Sequence, residues 1–366
     1  MNNVIKIALP SWNLSIEERE KWKLFYLKKK EFTTETWLND IWNFLLNWIS
    51  EEETISLKTS GSTGEPKNIW VKKSTMIFSA QQTSEYFQFN KNEKWLFCLP
   101  AAFVGGQMIL VRAILNNTEV FAVEPKIELK EVIGEYDFAS MIPMQVEKYL
   151  PNKNKLKIRR VLIGGASIPS SLEKSLRLDN DSDYFASYGM TETVSHIALR
   201  KVNGKVYSNF FTGFKNILLG TDDRGCLTVY HKNYSENVLI TNDLVEFDAY
   251  GSFRVMGRVD NIINSGGLKI SPEEIENKIS EMLSQRLMVI GIPDEKTGEK
   301  PVLMIEGVEL DRGTLSLLKN YLTENLDKNK SPKEIIFVNQ FEETTNGKLD
   351  RRKTKEIYLR NLRTSL

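Results

Sequence analysis

Short apolar runs alternate with helix-like segments through much of the chain. The runs are Trp95–Leu99, Phe138–Ile142, Val161–Ile163 and Tyr184–Ala186. Residues 15–50 carry Trp and Leu at helical spacing, and Ser74 is a candidate cap for a helix that continues to Gln88. This alternation predicts an α/β domain with a largely parallel sheet.

The pattern changes after residue 205. Turn signals at Asp222–Gly225 and Asp248–Gly251 separate short β-rich runs, which predicts a small β subdomain. Beyond Asp260, Ser271 and Pro272 mark a helix start, and strands and helices then alternate again. We therefore predict a large N-terminal α/β domain with a β subdomain over residues 1–259, and a small C-terminal α+β domain over residues 260–366.

Composition excludes several classes of protein. The chain has 366 residues and a formal net charge of +1, which argues against nucleic acid as a partner. Its 2 cysteines and 2 histidines are too few for a disulfide framework or a Cys/His zinc site. The start of the chain lacks a signal-peptide pattern, and the apolar stretch Ala101–Leu115 is too short to span a bilayer. We expect a soluble, cytoplasmic protein without membrane insertion, and its oligomeric state stays open.

The strongest chemical signal is a loop between the predicted strands Thr54–Lys58 and Asn68–Lys72. Small residues let backbone N–H groups approach an anion, hydroxyls add donors, and a lysine adds positive charge. The candidate phosphate-binding residues are Thr59, Ser60, Gly61, Ser62, Thr63, Gly64 and Lys67. The loop is not a Walker A loop, because Lys67 is followed by Asn68 and a strand. The alternative is a hairpin turn rich in Gly and Ser.

A second signal follows the apolar run Tyr184–Ala186. In open α/β sheets, ligands bind beyond the carboxyl ends of strands. Tyr188 offers a flat face for a purine, Thr191 a hydroxyl for a phosphate oxygen, and Glu192 a hard oxygen ligand for Mg²⁺. The alternative is a helix cap with an acidic first turn.

Four weaker signals each have an ordinary structural alternative. Gly164, Gly165 and Ala166 follow an apolar strand and suit either a flat ligand or a plain β–α turn. Asp243 and Arg258 suit ribose hydroxyls or are surface charges. Gly266 and Gly267 precede the predicted helix at Pro272, and the Asn346-Gly347 turn presents Lys348 or is an ordinary basic loop.

Taken in order, these motifs resemble the adenylate-forming superfamily of acyl-CoA synthetases, peptide-synthetase adenylation domains and luciferases. The resemblance covers residues 55 to 355. It implies a fold with a mobile C-terminal domain, and an AMP-forming acid–thiol ligase that uses ATP, Mg²⁺ and CoA as a co-substrate. The run Tyr188–Arg200 is most similar to the subfamily that acts on o-succinylbenzoate in menaquinone biosynthesis.

The resemblance also implies a role for each matching position. The loop 59–67 would wrap the β- and γ-phosphates. Adenine and the α-phosphate would be contacted by Gly164, Gly165, Ala166, Tyr188, Gly189, Met190 and Thr191. Glu192 would hold Mg²⁺, and Asp243 and Arg258 would hold the ribose. The hinge would be Asp260, the pantetheine channel would be bordered by Gly266 and Gly267, and the adenylation lysine would be Lys348.

The chain departs from the family in two places. Only 58 residues precede the phosphate loop, so we expect a reduced N-terminal subdomain. Phe103 stands where many members have His or another aromatic residue at the gate of the acyl pocket. Candidate acyl-pocket residues are Phe103, Gly105, Gly106 and Ser195, and Arg112 and Ser195 are candidates for a second carboxylate. Alternatives are another aryl- or acyl-CoA ligase, a carrier-protein adenylating enzyme, and a silent nucleotide-binding module.

Overall fold

The computed structural model describes residues 4–58, 68–283, 285–343 and 349–364. These residues form two compact units. The first comprises Met1–Ile168, Ser175–Leu218 and Tyr230–Leu239, and the second Pro169–Lys174, Leu219–Val229 and Ile240–Leu366. The functional boundary after residue 259 stays a prediction.

The first unit is built on a sheet of 8 strands in the order β1-β5-β4-β6-β7-β8-β9-β10. The strands are β1 Ile5–Ile7, β4 Lys94–Phe97, β5 Glu119–Ala122, β6 Gly134–Met141, β7 Leu156–Ile163, β8 Asp183–Gly189, β9 His196–Lys201 and β10 Thr212–Gly213. Strands β5, β4, β6, β7 and β8 run parallel, and β1, β9 and β10 are antiparallel to their neighbours. The predicted α/β fold with a largely parallel sheet is confirmed.

Helices connect and flank these strands. They are α1 Ile16–Glu31, α2 Thr36–Ile49, α3 Lys73–Phe87, α4 Val104–Asn116, α5 Pro143–Tyr149 and α6 Ser170–Leu178. A separate ribbon pairs β2 Thr54–Lys58 with β3 Asn68–Lys72, as predicted. The proposed cap at Ser74 is wrong, because α3 already begins at Lys73. The helix ends at Phe87, and its C-cap residue Gln88 has a φ of +51°. No helix in the described part of the chain has the length and apolar character needed to cross a membrane.

The second unit contains two sheets. One has the order β11-β12-β13-β14, from β11 Leu218–Thr221, β12 Cys226–Tyr230, β13 Leu239–Phe247 and β14 Phe253–Arg258. The other joins β15 Ile263–Ser265, β16 Leu268–Ile270, β17 Leu287–Asp294, β18 Gly298–Glu306 and β19 Glu334–Val338. Helices α7 Pro272–Ile279, α8 Arg312–Asn325 and α9 Arg351–Thr364 accompany them. The Ser271 side chain caps α7 by accepting from the Glu274 backbone, as predicted.

A buried ion pair links two neighbouring parts of the parallel-sheet domain. Glu93 precedes β4, Arg160 lies in β7, and their side chains are 2.6 Å apart and only 5% and 10% exposed. Burial disfavours the ionised form of Glu93. The Asn90 backbone, the Trp95 indole and Arg160 favour it more strongly, so the pKa of Glu93 lies below its ordinary value.

Substituting Glu93 by glutamine is expected to lower the free energy of unfolding by about 3 kcal/mol near neutral pH, because Arg160 is left buried and unpaired. The folded-state pKa of Glu93 is depressed. Its contribution is therefore complete above the unfolded-state pKa and is lost as pH falls towards the folded value. In denaturant titrations, the difference in the free energy of unfolding between wild type and Glu93→Gln should decrease below about pH 4.

The matched control is Glu135→Gln, which breaks an exposed pair with Lys157 at 2.8 Å. We expect it to change the free energy of unfolding far less, because exposed pairs contribute little. If the difference in the free energy of unfolding between wild type and Glu93→Gln stays constant as the pH falls below about 4, the depressed pKa of Glu93 is contradicted.

Candidate active site

Candidate ligand-binding residues of the first unit lie at one edge of its parallel sheet. Phe103 follows β4, Gly164 follows β7, and Tyr188 lies at the end of β8. Strands β4, β6, β7 and β8 are consecutive neighbours and share one direction. The fold therefore brings these separate motifs to the carboxyl edge, where open α/β sheets bind ligands.

Packing requires glycine at the turn after β7. A Cβ atom on Gly164 would lie 2.6 Å from the Ser187 hydroxyl, and Gly165 adopts a φ of +83°. The Ser187 hydroxyl donates to the Ile163 carbonyl at 3.0 Å. Because Gly165 and Ala166 are exposed and small, this turn leaves an open surface without bulky side chains beside the end of β8. That surface is compatible with a flat ligand.

The segment after β8 is a turn, so the helix-cap alternative for Thr191 and Glu192 is wrong. The next element is β9, which starts at His196. Inside the turn, the buried Thr193 hydroxyl accepts from the Met190 backbone at 3.1 Å and donates to the Ser195 carbonyl at 2.7 Å. The turn leaves Glu192 exposed, and no described residue pairs with its carboxylate.

Two residues of this turn have unusual backbone requirements. A Cβ atom on Gly189 would lie 2.3 Å from the Ser195 carbonyl oxygen, so packing alone demands glycine there. Val194 has a φ of +65°, a strained conformation for a β-branched residue. Strain of this kind is common at ligand-binding turns, and here it lies two residues from Glu192.

Three of the acyl-pocket candidates, Phe103, Gly105 and Gly106, lie at the start of α4. Phe103 is the N-cap residue of the helix and is half-buried. A Cβ atom on Gly106 would lie 2.3 Å from the Pro100 carbonyl oxygen, whereas one on Gly105 would meet only Leu99 at 3.7 Å. Gly106 is therefore fixed by packing, and Gly105 is the open position of the pair.

Arg112 is a buried cation in the middle of α4. Its side chain is 2% exposed, and burial lowers the pKa of Arg112 to about 9, so it stays protonated at neutral pH. Its Nη2 donates to the Ser195 hydroxyl at 2.8 Å. No described carboxylate forms an ion pair with it. A buried charge without a counter-charge is costly, and a bound anion can compensate for it.

In the second unit, Asp243 and Arg258 face each other across β13 and β14. The Arg258 Nη1 donates to an Asp243 carboxylate oxygen at 2.9 Å, and both side chains are part-exposed. The structure thus joins two residues that the sequence separates. A carboxylate and a guanidinium held together in this way can accept from and donate to neighbouring ribose hydroxyls.

Asp260 lies in a single 3-10 turn directly after β14. Its carboxylate accepts from Asn242 at 2.9 Å and 3.1 Å and from Arg258 at 3.1 Å. The predicted hinge residue is therefore held by two side chains of the preceding sheet.

Gly266 and Gly267 form the two-residue loop of the hairpin between β15 and β16. Both have positive φ, +57° and +82°, which a tight hairpin turn of this type requires. Nothing lies within 4 Å of a Cβ atom placed on Gly267. The turn itself therefore requires both glycines, and the described residues leave space on the outer side of Gly267.

Other predicted site residues lie outside the described residues. These are the phosphate-loop residues Thr59–Lys67 and the lysine Lys348. Within the described ranges, no group of three or more His, Cys, Asp or Glu side chains is placed to hold a metal ion.

Two neighbours of Arg112 are not predicted by the sequence pattern. Thr83 in α3 and His196 in β9 both contact it from distant parts of the chain, and both are buried. The one sequence signal for either residue is that His196 directly follows Ser195, a candidate acyl-pocket residue.

A ligand site at the carboxyl edge of a largely parallel sheet is typical of α/β enzymes that bind nucleotides, and comparison with known proteins gives the same class. Residues 40–210 match the family model described as AMP-binding enzyme, and residues 274–348 match the AMP-binding enzyme C-terminal domain. The acyl-CoA synthetase (AMP-forming)/AMP-acid ligase II-like protein of Dyadobacter fermentans is 30% identical, with a TM-score of 0.59 and coverage of 90% of this chain and 97% of that one. The chain belongs to the AMP-binding enzyme family, which confirms the predicted resemblance.

Two further similarities are more specific. The 2-succinylbenzoate–CoA ligase of Listeria monocytogenes is 28% identical over 343 residues, which cover 85% of this chain and 72% of the relative. The o-succinylbenzoate coenzyme A synthetase (MenE) of Bacillus subtilis, solved in complex with ATP and magnesium ion, has a TM-score of 0.69 at 22% identity. That alignment covers 82% of this chain and 69% of the other, and it supports the same fold.

Proposed function

We propose that this protein joins a carboxylic acid to coenzyme A, with conversion of ATP to AMP and pyrophosphate, and that the acid is o-succinylbenzoate of menaquinone biosynthesis. Family membership and the name of the Listeria relative support the reaction. The observation that carries the choice of acid is Arg112, a buried cation with no described carboxylate partner. A dicarboxylic acid can use one carboxylate for activation and the other to neutralise Arg112.

In the first half-reaction, a carboxylate oxygen attacks the α-phosphorus of ATP and pyrophosphate leaves. Both reactants are anions, so repulsion is the main obstacle. Two unit charges 4 Å apart repel by about 1 kcal/mol in water and about 4 kcal/mol at an effective dielectric constant of about 20. Lys348 and the Thr59–Lys67 loop are the positive and hydrogen-bonding groups that reduce this repulsion.

Glu192 is suited to a magnesium site in which nucleotide phosphates and water supply the remaining ligands. Mg²⁺ commonly binds one or two carboxylates together with substrate phosphates and water. Glu192 is exposed beside the strained turn and has no described partner, and the described residues offer no ready-made metal cluster. When bound, the ion neutralises phosphate charge. Thr191 lies next to Glu192 and suits a contact to the α-phosphate.

The adenosine of ATP would be held from two sets of residues. Adenine would lie on the open surface at Gly164–Ala166, with Tyr188 stacked against it. The paired Asp243 and Arg258 would contact the ribose hydroxyls. These assignments are proposals that rest on the family motifs and on the local geometry of each set.

In the second half-reaction, the CoA thiol loses its proton to water and its sulfur attacks the acyl carbonyl carbon. The carbon–oxygen bond to AMP then breaks and the thioester is released. Pantetheine must reach the carbon that Lys348 had approached. We propose that the domain over residues 260–366 rotates about Asp260, which removes Lys348 and brings Gly266 and Gly267 to the thiol channel.

A panel of acids tests this function. The purified protein would receive ATP, Mg²⁺ and CoA with o-succinylbenzoate, with analogues that lack either carboxylate, and with simple aryl and fatty acids. We expect o-succinylbenzoyl-CoA as the dominant thioester by mass spectrometry, with AMP and pyrophosphate in equal amounts. The location of the reaction in the cytoplasm stays a prediction from the sequence.

The same panel separates the alternatives. A preference for a different acid makes the protein another aryl- or acyl-CoA ligase. Adenylation without transfer to CoA indicates a carrier protein as the acceptor. Failure of every acid to support ATP–pyrophosphate exchange leaves a silent nucleotide-binding module and overturns the proposal.

A further inference from the structure

Arg112 is surrounded by a network of hydroxyl and imidazole groups from three elements. Its Nε donates to the Thr83 hydroxyl of α3 at 3.0 Å, and its Nη2 to the Ser195 hydroxyl at 2.8 Å. His196 of β9 lies 2.9 Å from the same Thr83 oxygen through Nε2. We call Thr83, Arg112, Ser195 and His196 the Arg112 cluster.

The donors and acceptors of the cluster are consistent with one proton arrangement. A guanidinium only donates, so the Nδ1 of His196, 3.5 Å from Nη2 of Arg112, is the acceptor nitrogen. The Ser195 hydroxyl, at 3.3 Å, can donate to that same nitrogen. The hydrogen of His196 is then on Nε2 and is donated to Thr83.

The Thr83 hydroxyl completes this arrangement. It accepts from Arg112 and from His196 and gives its own hydrogen to the Ser79 carbonyl at 3.2 Å. Both lone pairs of the hydroxyl oxygen are therefore occupied, and its one hydrogen has an acceptor. Because all its hydrogen-bonding capacity is satisfied, the Thr83 hydroxyl holds Arg112 and His196 in fixed positions.

His196 is kept neutral by its surroundings. Burial lowers its pKa well below the ordinary value, and the adjacent Arg112 charge lowers it further. Tyr234 is the other titratable group that acts on Arg112, and burial raises the pKa of that phenol to about 12, so it too is neutral. Arg112 therefore carries the net charge of this buried region.

The Nη1 nitrogen of Arg112 has no hydrogen-bond acceptor among the described residues. Nε and Nη2 of Arg112 are engaged, and no described residue accepts from Nη1. Ser195, which binds Nη2, is only half-buried and directly follows the strained turn that carries Glu192. The cluster thus reaches from the buried helix α4 to the carboxyl edge of the sheet.

We propose that Thr83 and His196 are positioning residues that hold the Arg112 guanidinium with Nη1 available for the second carboxylate of the acid, and so select dicarboxylic acids. The proposal rests on the proposed function, and it assigns to a threonine and a histidine the control of acid selectivity. We place neither residue in contact with the reacting carboxylate or with ATP.

Thr83→Val tests the proposal, because valine keeps the shape of threonine and removes the hydroxyl. We expect the KM for o-succinylbenzoate to rise by about tenfold or more, because a guanidinium that Thr83 no longer holds loses its charge-assisted hydrogen bond to the second carboxylate. The KM for ATP and the kcat should stay within about twofold, since uniform binding alone is lost. The analogue that retains only the activated carboxylate should react equally well with both proteins.

Thr83→Ser is the matched control, because it restores the hydroxyl, and it should behave as wild type. A Thr83→Val variant that loses activity equally on mono- and dicarboxylic acids, or a Thr83→Ser variant that is equally impaired, overturns the proposal. If wild type accepts no dicarboxylic acid at all, the proposed function fails instead.

A second measurement needs no substrate. Nitrogen NMR of labelled protein reports the protonation of each histidine, and the chain has only 2, so a His231→Asn variant assigns the signals. We expect His196 to show the neutral Nε2–H form without titration between about pH 5 and 8. In Thr83→Val its signals should shift. A His196 that titrates near its ordinary pKa, or that is unaffected by the Thr83 change, contradicts the network.

Discussion

Lys348→Ala should slow formation of the acyl-adenylate by about a hundredfold or more, because one preorganised charge at the reacting phosphate typically contributes that much. Thioester formation from supplied acyl-adenylate and CoA should remain largely intact, since AMP is already a good leaving group. The first step is measured as ATP–pyrophosphate exchange with o-succinylbenzoate, and the second as release of AMP from synthetic acyl-adenylate.

Lys353→Ala is the matched control for this substitution. Lys353 lies in α9, and its ammonium is already paired with Glu342 at 2.6 Å, so its loss should change adenylation by no more than about twofold. Equal loss of both half-reactions in Lys348→Ala refutes the role of this lysine, because it then acts on something common to the two steps.

Asp260→Pro should slow the thioester step by about tenfold or more, equal to about 1.4 kcal/mol of activation free energy, and slow adenylation much less. Proline fixes φ near −65° and restricts the residue before it, so rotation about this position is blocked. Single-turnover measurements of each half-reaction give the two rates separately.

Asp260→Ala separates backbone rigidity from loss of the carboxylate. Both variants remove the hydrogen bonds from Asn242 and Arg258, but only proline restricts the backbone. We expect the alanine variant to retain the thioester step far better than the proline variant. A proline variant slowed only in adenylation contradicts the proposed rotation.

Local sequence signals predicted several elements accurately. The ribbon of β2 and β3 has the predicted bounds, because each strand is a short β-rich run limited by small or charged residues. The start of α7 was predicted from Ser271 and Pro272, whose capping chemistry depends only on neighbours in sequence. The enzyme family was predicted from the order of several motifs, and the comparisons confirm it.

Contacts between distant segments could not be predicted from local sequence patterns. Thr83 and His196 meet through α3, α4 and β9, and nothing local in either segment indicates the other. The pairing of Asp243 with Arg258 depends on the register of β13 and β14, which a bulge shifts between Leu244 and Val245. Ser74 was a plausible cap by residue type, yet α3 begins one residue earlier.

Glycines illustrate the same limit. The family motifs predict ligand contacts for Gly189 and Gly106. Packing against the Ser195 and Pro100 carbonyl groups already requires glycine at both positions. Gly165 and Gly267 combine positive φ with an open outer face, which is compatible with the predicted ligand contacts. Residue type alone does not separate a structural glycine from one that borders a ligand.

In the proposed reaction, the carboxylate of the acid becomes bonded to AMP before CoA reacts. Heavy-oxygen label in both oxygens of the activated carboxylate of o-succinylbenzoate tests it directly, with AMP and pyrophosphate analysed by mass after one turnover. One labelled oxygen should appear in AMP and one should remain in the thioester, because the thiol cleaves the bond between carbon and the bridging oxygen. Unlabelled AMP, or label in phosphate or pyrophosphate, contradicts the account.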